Sequence, residues 1–221
     1  MLTTPLADIG FLASASQGFR NMITELAVKT RLNAGDVLFE QGDRGDTLFA
    51  VISGSLEVSV TSQGGKKLSL DIMNAGALFG EIALFTPGPR TATLTAITQT
   101  EVWGLRNSDV LAALKKTPEL YIDMIELAGM RMRWMANQYH EQVFMDVTTR
   151  LARKILHLSG EGGKPVRMSH ADLGTFVGAS RETVSKTLSG WKRDGLIELG
   201  RSTIQLTNEA GLKKIAENPL Y

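Results

Sequence analysis

The spacing of apolar residues changes along the chain, and each change predicts a different kind of element. Over residues 14–26 apolar side chains recur at helical intervals, which predicts an amphipathic helix. From about Val28 to Arg106 short apolar runs alternate with glycines, as in strands joined by tight corners. Many short strands with glycine corners favour an antiparallel sandwich or barrel. The rest of the chain returns mainly to helical spacing, so an α+β fold is predicted.

A long helix is predicted from about Glu119 to Phe144, after a short helix over 109–115. Its interior holds no proline and a single glycine, Gly129. Near one stripe, which Arg131 interrupts, lie Met124, Ala128, Met135 and Tyr139. A helix of roughly 26 residues is ~39 Å long, more than one small barrel can cover. We expect a second copy of the helix to cover the excess apolar surface, which predicts a homodimer. The alternative is packing entirely against its own domain.

The last third of the chain has the pattern of a helix-turn-helix followed by a wing. The predicted elements are helices over 147–158, 169–177 and 181–194 and strands over 196–199 and 203–206. Asp146 and Ser180 are good caps for the first and third helices. Gly178 supplies the turn between the second and third helices, as a helix-turn-helix requires. A turn at Gly200-Arg201 joins the two strands of the wing.

Three domains follow from these changes in pattern. We predict a strand-rich domain over 1–118, a dimerisation helix over 119–145 and a winged helix-turn-helix domain over 146–221. Residues 1–146 hold 12 Lys and Arg against 16 Asp and Glu, whereas residues 147–221 hold 12 against 7. A basic C-terminal third on a slightly acidic body indicates contact with a polyanion.

Composition excludes several classes of protein. The chain has no cysteine, so disulfides, iron–sulfur clusters and thiolate zinc sites are excluded. No metal site is expected. The longest apolar runs fall short of the ~20 residues that a membrane-spanning helix needs. Asp8 lies early, and no basic start precedes an apolar block, so we expect no signal peptide, no membrane contact and a cytoplasmic protein.

Two charged residues in the strand-rich segment are the strongest candidates for ligand chemistry. Glu81 and Arg90 lie on either side of a short Gly/Pro loop in an apolar region. Lone charges in such surroundings are costly unless a partner is present. The partner can be internal, or it can be a ligand with an anionic end for Arg90 and a hydroxyl end for Glu81. The second interpretation predicts a nucleotide pocket.

The third helix of the last domain carries the residue types that read DNA bases. Its predicted exposed positions are Arg181, Glu182, Ser185, Lys186 and Ser189, the first four of them in the two turns that enter a major groove. Arginine and lysine donate to the acceptors of guanine, and a glutamate accepts from cytosine N4. The alternative is a solvated helix face with a capping glutamate.

Together these segments resemble the bacterial cyclic-AMP receptor/fumarate-nitrate regulator (CRP/FNR) superfamily, over almost the whole chain. The motifs that carry the resemblance are Gly-Asp-x-Leu-Phe-x-x-Gly at 35–42, Ile-Ser-Gly at 52–54, Phe-Gly-Glu-x-Ala-Leu at 79–84, Pro-Arg-Thr-Ala at 89–92, Asp-Val-Thr-Thr-Arg-Leu-Ala at 146–152 and Gly-Ala-Ser-Arg-Glu-Thr-Val-Ser-Lys at 178–186. The resemblance implies an N-terminal cyclic-nucleotide-binding β-roll, a long dimerisation helix and a C-terminal winged helix-turn-helix.

The resemblance also implies roles for individual residues. Glu81 matches the residue that accepts from the ribose 2′-hydroxyl, Arg90 the one that pairs with the cyclic phosphate, and Thr91 a neighbouring hydroxyl donor. The remaining matches to the ligand site are Gly80, Ile82, Ala83, Ala92, Met135 and Ala136. Arg181, Glu182 and Lys186 match the base readers, with Ser185 as a fourth. Phosphate contacts are usual at the positions of Thr148, Ser180, Thr183 and Arg201. Phe144 and Asp146 match the hinge.

Several positions depart from the family pattern. Met135 and Ala136 stand where cyclic-AMP-dependent members carry Thr-Ser, and neither side chain hydrogen-bonds a base edge, although Asn137 is adjacent. Lys186 replaces an arginine of many members. The absence of cysteine removes the iron–sulfur oxygen sensors. The three histidines, His140, His157 and His170, all lie outside the β-roll, which disfavours a haem sensor.

The expected function is therefore an allosteric transcription regulator that binds double-stranded DNA as a homodimer. Cyclic AMP or cyclic GMP is the expected effector, with no cofactor, and RNA polymerase is an expected partner. Effector binding would act on the hinge so that two recognition helices sit ~34 Å apart on a pseudo-palindromic site. One alternative is a regulator of the same fold that binds DNA without a cyclic mononucleotide or responds to another ligand such as a cyclic dinucleotide. A remote alternative is an enzyme, but no hydrolytic constellation appears.

Overall fold

The chain forms two structural units whose border lies inside the long helix. The computed structural model describes residues 9–160 and 163–217. The units are Met1–Arg133 and Trp134–Tyr221. The predicted domain boundaries at 118 and 145 stay a prediction. The start of the chain, on which the expected absence of a signal peptide rests, and residues 161 and 162 of the loop before the helix-turn-helix lie outside the described residues.

Eight short strands of the first unit form two four-stranded antiparallel sheets in the described part of the chain. The strands are β1 (Val28–Leu32), β2 (Val37–Phe39), β3 (Thr47–Ser53), β4 (Ser55–Thr61), β5 (Lys67–Asn74), β6 (Leu78–Phe79), β7 (Thr93–Ala96) and β8 (Thr100–Arg106). Their order is β1-β8-β3-β6 in one sheet and β2-β7-β4-β5 in the other. The predicted antiparallel strand-rich domain is confirmed.

Alternation of buried and exposed side chains directs one face of each sheet inward. Leu56 of β4, Leu94 of β7 and Val102 of β8 are among the buried residues of one apolar cluster. A second cluster lies under the helices, where Phe19 and Trp103 are almost fully buried. Burial of this apolar surface is the main stabilising contribution to the unit.

The first unit also contains helices, the last of which continues into the second unit. They are α1 (Gly10–Ser14), α2 (Gln17–Leu26), α3 (Ile82–Phe85), α4 (Asn107–Lys116) and, after a 3₁₀ turn over Pro118–Leu120, α5 (Tyr121–Phe144). The single helix predicted from residue 14 is wrong at its start. Ser16 adopts an extended backbone and its side chain accepts from the Phe19 amide, so a new helix begins there. Asp123 of α5 accepts from both the amide and the hydroxyl of Ser16 at 2.7 Å.

The long helix α5 leaves an apolar stripe uncovered. Met124, which the sequence placed in this stripe, is instead buried in the core of the first unit. The exposed residues at heptad spacing are Ile125, Met132, Met135 and Tyr139, each between 59% and 72% exposed. Spacings of seven, three and four residues are those of coiled-coil seams. The predicted excess apolar surface is therefore present, along a stripe shifted by one residue at its start.

The second unit has the elements of a winged helix-turn-helix. They are α6 (Val147–Ser159), β9 (Val166–Arg167), α7 (His170–Val177), α8 (Arg181–Arg193), β10 (Ile197–Gly200), β11 (Thr203–Leu206) and α9 (Glu209–Glu217). The strands form an antiparallel sheet of order β10-β11-β9. Leu173, Val184 and Leu188 are fully buried at the contact between α7 and α8. The predicted helix-turn-helix with a wing is confirmed.

A glycine fixes how closely the turn approaches α7. The Ala179 carbonyl oxygen lies 2.7 Å from the position that a Cβ on Gly174 would take. Gly178 ends α7 in the left-handed conformation, with φ of 67°. Both positions therefore demand glycine, and together they set the direction in which α8 leaves the turn.

Candidate functional site

The segment between β6 and β7 brings Glu81 and Arg90 into the interior of the first unit. Glu81 is 5% and Arg90 6% exposed, so both charges are removed from solvent. Gly80 makes this close packing possible. Its φ is +85°, and an added Cβ would lie 2.8 Å from Arg90 Nη1 and 2.9 Å from the Thr47 carbonyl oxygen. Any side chain at position 80 would therefore displace the guanidinium.

Arg90 is buried with most of its hydrogen-bonding capacity unused. Its Nη2 donates to the Thr47 carbonyl oxygen at 2.7 Å, whereas Nε and Nη1 have no acceptor. The guanidinium carbon lies 4.3 Å from the centre of the Phe39 ring. Burial lowers the pKa of Arg90, and the nearby Asp46, Asp43 and Glu81 carboxylates partly offset this shift. Arginine stays protonated in proteins, so a cation with two nitrogens that lack an acceptor is held in the interior.

The phenylalanine floor is the group of aromatic rings beneath Arg90, formed by Phe39, Phe49 and Phe79. Phe49 and Phe79 stack at 5.5 Å between ring centres, and Phe39 lies 5.8 Å from Phe49 and 6.2 Å from Phe79. A planar guanidinium lies favourably over an aromatic face. The Phe39 and Phe49 rings of the floor therefore pack against the Arg90 guanidinium without using its N–H groups.

The partner of Glu81 is Arg131 of α5. Arg131 Nε lies 3.3 Å from Glu81 Oε1, and its Nη2 donates to the Leu78 carbonyl oxygen at 2.7 Å. From the sequence pattern, Arg131 was identified only as an interruption of the apolar stripe. A lone arginine on the apolar face of a helix was the signal that could have identified it. Glu81 is thus internally paired, as one of the two sequence interpretations allowed, but with Arg131 as the partner.

The other predicted ligand residues of the first unit are close neighbours of Glu81 or Arg90 in the chain. Glu81 begins the turn of α3, and its carbonyl accepts from the amides of Leu84 and Phe85. The amides of Ile82 and Ala83 come before these two bonded amides in the turn, and the first amides of a helix have no acceptor within it. The Thr91 side chain is exposed and Ala92 is buried. All seven predicted residues therefore lie in the segment between β6 and β7: Gly80, Glu81, Ile82, Ala83, Arg90, Thr91 and Ala92.

Met135 and Ala136 lie in the second unit, on α5. Both side chains are exposed, and Met135 belongs to the uncovered stripe with an exposure of 59%. Thioether and methyl groups offer no strong hydrogen bond to a base edge.

The predicted DNA-reading residues lie at the start of α8. Arg181, Glu182 and Lys186 are exposed. The Ser180 hydroxyl caps the helix by accepting from the Thr183 amide at 3.2 Å. The pKa of Glu182 is lowered by hydrogen bonds to its own backbone amide and to Ser180 and by the Arg181 charge. The carboxylate is thus ionised and able to accept.

Ser185 differs from its prediction, since it is half-buried instead of exposed. Its hydroxyl oxygen lies 2.8 Å from Nδ1 of His170, the first residue of α7. Thr148 at the start of α6 is half-buried, whereas Arg201 is exposed at the turn of the wing. Ser202 beside it has a φ of 50°, which fixes the tight turn between β10 and β11.

The predicted hinge is an interruption between two helices. Phe144 ends α5 and is 54% exposed. Asp146 caps α6 by accepting from the Thr149 amide at 2.7 Å. Between them Met145 is buried, and its carbonyl accepts from Arg150 Nη1 at 2.6 Å. The chain therefore changes direction between a helix end and a helix cap.

Two kinds of feature are absent from the described residues. Within 9–160 and 163–217, acidic and histidine side chains form no group of three that could hold a metal ion. None of the described helices combines the length and apolar character needed to cross a membrane.

Two family models match the chain, one in each unit. A cyclic nucleotide-binding domain matches residues 29–117, which include the Glu81 and Arg90 segment. A Crp-like helix-turn-helix domain matches residues 149–215, which include α7, α8 and the wing.

The chain is also similar to curated regulators and solved structures. It is 32% identical to the cyclic AMP receptor protein of Thermus thermophilus, over 82% of this chain and 85% of that protein. It is 30% identical, with the same coverage, to a CRP-like cAMP-activated global transcriptional regulator of Mycobacterium tuberculosis. A CRP/FNR-family regulator structure from Thermus thermophilus has 30% identity and a TM-score of 0.72, covering 86% of this chain and 99% of its own. The c-di-GMP-responsive regulator CLP of Xanthomonas campestris has 24% identity, a TM-score of 0.77 and the same coverage.

Proposed function

We infer the function of this protein from its family, since the chain belongs to the CRP/FNR family of transcription regulators. We propose that it is an allosteric, sequence-specific DNA-binding regulator that acts as a homodimer and responds to cyclic AMP or cyclic GMP. It acts through binding and has no catalytic step.

The observation that carries the effector proposal is the unused hydrogen-bonding capacity of Arg90. A buried N–H group without an acceptor costs about 1–3 kcal/mol, and Arg90 has two nitrogens in this state. A phosphate diester has two non-bridging oxygens that can accept from the two arms of a guanidinium fork, and such bidentate pairs are strong. An anionic ligand therefore fits this site better than a neutral one.

The neighbouring residues match the rest of a cyclic nucleotide. The amides of Ile82 and Ala83 and the hydroxyl of Thr91 are donors for the phosphate, while Gly80 and Ala92 leave room for the backbone to approach it. Glu81 accepts from the ribose 2′-hydroxyl. Arg131, whose Nε lies 3.3 Å from Glu81 Oε1, pairs with that carboxylate in the interior.

The proposed ligand residues of the first unit do not discriminate between cyclic AMP and cyclic GMP. The relatives from Thermus thermophilus and Mycobacterium tuberculosis are named for cyclic AMP, which supports that nucleotide. Met135 and Ala136 offer apolar contact but no hydrogen bond to a base edge. We therefore propose cyclic AMP as the effector and keep cyclic GMP as the second candidate.

The exposed stripe of α5 supports the homodimer. Ile125, Met132, Met135 and Tyr139 repeat at coiled-coil spacing and are at least 59% exposed. A second copy of the helix is the simplest cover for such a stripe. Two copies of α8 would then reach two half-sites one helical turn, ~34 Å, apart.

The DNA contacts follow the proposed docking of α8. Arg181, Glu182 and Lys186 read bases from the first two turns, with Ser185 beside them. Phosphates are contacted by Thr148, Ser180, Thr183 and Arg201, and the Phe144–Asp146 hinge carries the effector signal. RNA polymerase is the proposed partner on promoter DNA.

Isothermal titration of the full chain with cyclic AMP and with cyclic GMP tests the effector proposal. We expect saturable heat with at least one nucleotide, and its loss in Arg90→Met. Arg106→Met is the matched control, because Arg106 is exposed outside the site, and it should bind as the parent chain does. Heat with neither nucleotide, or unchanged heat in Arg90→Met, would overturn the proposal. Binding of cyclic di-GMP in its place would establish the alternative effector.

A further inference from the structure

One polar contact inside the helix-turn-helix has no part in the function derived so far. His170 Nδ1 lies 2.8 Å from Ser185 Oγ, which joins the first residue of α7 to the second turn of α8. Both side chains are half-buried. The contact fixes a side chain on the helix that is proposed to enter the major groove.

The contact is not needed to hold α7 against α8. Their packing already buries Leu173, Val184 and Leu188 completely. The start of α7 is secured separately by a capping box in which Ser169 and Asp172 bond to each other's backbone. The His170–Ser185 bond therefore restricts the Ser185 hydroxyl more than it stabilises the fold.

An unrestrained serine in a helix rotates and commonly donates to the carbonyl four residues earlier. The imidazole removes this freedom. If Nδ1 accepts, the serine proton is used and its oxygen can only accept from a base. If Nδ1 donates, the serine proton is free to be donated to a base. In the first tautomer the hydroxyl offers a base only an acceptor, and in the second it keeps its donor but has one lone pair fewer. The ring therefore limits the hydrogen bonds that the hydroxyl can make with a base, and bases differ in the polarity of their groove edges.

We propose that His170 is a specificity-determining positioning residue that acts through Ser185. Ser185 stands four residues after Arg181 and three after Glu182, so all three share one side of α8. By setting the orientation of the Ser185 hydroxyl, His170 selects which base is accepted at the position beside those two readers. This inference rests on the proposed role of α8 as the recognition helix.

Selection from a random double-stranded DNA library, followed by sequencing, tests the inference with the full chain at one fixed pH. Both cyclic nucleotides are included. The variants are Ser185→Ala, His170→Leu, His170→Asn and the double variant Ser185→Ala with His170→Leu. Asparagine places a polar atom near the Nδ1 position, whereas leucine has the same branching without one. His157→Leu is the control, since His157 is exposed on α6.

We expect His170→Leu and Ser185→Ala to relax preference at the same base position. One hydrogen bond corresponds to roughly a three- to tenfold change in the ratio of preferred to other bases. The double variant should match either single variant, His170→Asn should restore most of the preference, and His157→Leu should leave the motif unchanged.

Two results would overturn the inference while leaving the proposed function intact. One is an unchanged motif in His170→Leu. The other is an equal loss of affinity for all sequences, which a merely structural role would produce. If the parent chain selects no motif with either nucleotide or without one, the proposed function itself fails, and the inference fails with it.

Discussion

Replacement of Arg90 by methionine is expected to stabilise the ligand-free protein and to abolish its response to cyclic nucleotide. Methionine is of comparable length, carries no charge and makes favourable contacts with aromatic rings. The variant thus keeps the phenylalanine floor covered. Few buried residues should be replaceable with a gain in stability, and Arg90 is one because two of its buried nitrogens have no acceptor.

The magnitude follows from the contacts of Arg90. Removing two buried nitrogens without acceptors recovers about 1–3 kcal/mol for each. Against this stand the lost bond to the Thr47 carbonyl, about 1.5–3 kcal/mol, and the lost contact with the Phe39 ring, up to about 2 kcal/mol. The sulfur–aromatic contact restores part of the latter. We expect a net gain of about 1–2 kcal/mol, as when buried charges are replaced by apolar groups.

Calorimetric melting with and without nucleotide measures both parts of this prediction. A gain of 1–2 kcal/mol raises Tm by about 2–8 °C in a chain of this size. Nucleotide at about 100 times its Kd stabilises the parent chain by about 2.7 kcal/mol. The order of the two proteins should therefore reverse, with the variant melting higher alone and the parent melting higher with nucleotide.

The reasoning is refuted if the ligand-free variant melts several degrees below the parent. Arg90 would then be a structural residue whose remaining N–H groups have a role in the fold. A rise in the Tm of the variant on adding nucleotide would also refute it. Arg106→Met, on the exposed surface, should change neither Tm nor the response.

Three further outcomes are expected. Glu182→Ala should lower discrimination between operators by about 1–3 kcal/mol while affinity for random DNA changes little, since Glu182 is proposed to read a base; competition binding measures both. Arg201→Ala should weaken binding to all sequences and reduce the slope of log K against log salt by about one unit, and an unchanged slope would contradict a phosphate contact. Asp123→Ala should lower the free energy of unfolding by about 1–3 kcal/mol, because it removes the two hydrogen bonds that the amide and hydroxyl of Ser16 donate to the buried carboxylate; chemical unfolding measures this, and a loss below about 0.5 kcal/mol would contradict it.

The sequence predicted most elements because their signals are local. Short apolar runs with glycine corners identified the strands, and Asp146 and Ser180 identified two helix starts through their capping chemistry. The start of a new helix at Ser16 was missed, since the Asp123 carboxylate that accepts from the Ser16 hydroxyl is 107 residues away in the chain. Local periodicity carries no record of such a partner.

The candidate site was predicted in its composition but not in its pairing. Glu81 and Arg90 were identified because charges are rare in apolar segments. Arg131 was missed as the partner of Glu81, since the two are 50 residues apart in the chain and meet only after folding. Ser185 was predicted to be exposed because helical spacing places it outward, whereas the neighbouring His170 covers it.

The phenylalanine floor affects how easily a domain of this kind can lose or regain dependence on a ligand during evolution. The three rings pack against one another at 5.5–6.2 Å, so their contacts with each other do not depend on the guanidinium above them. A descendant with an apolar side chain in place of Arg90 would keep its fold but lose the proposed anion-binding group. A single substitution would then separate a ligand-dependent ancestor from a ligand-independent descendant. Reversion would also need only one substitution, because a restored arginine could pack against the same aromatic rings.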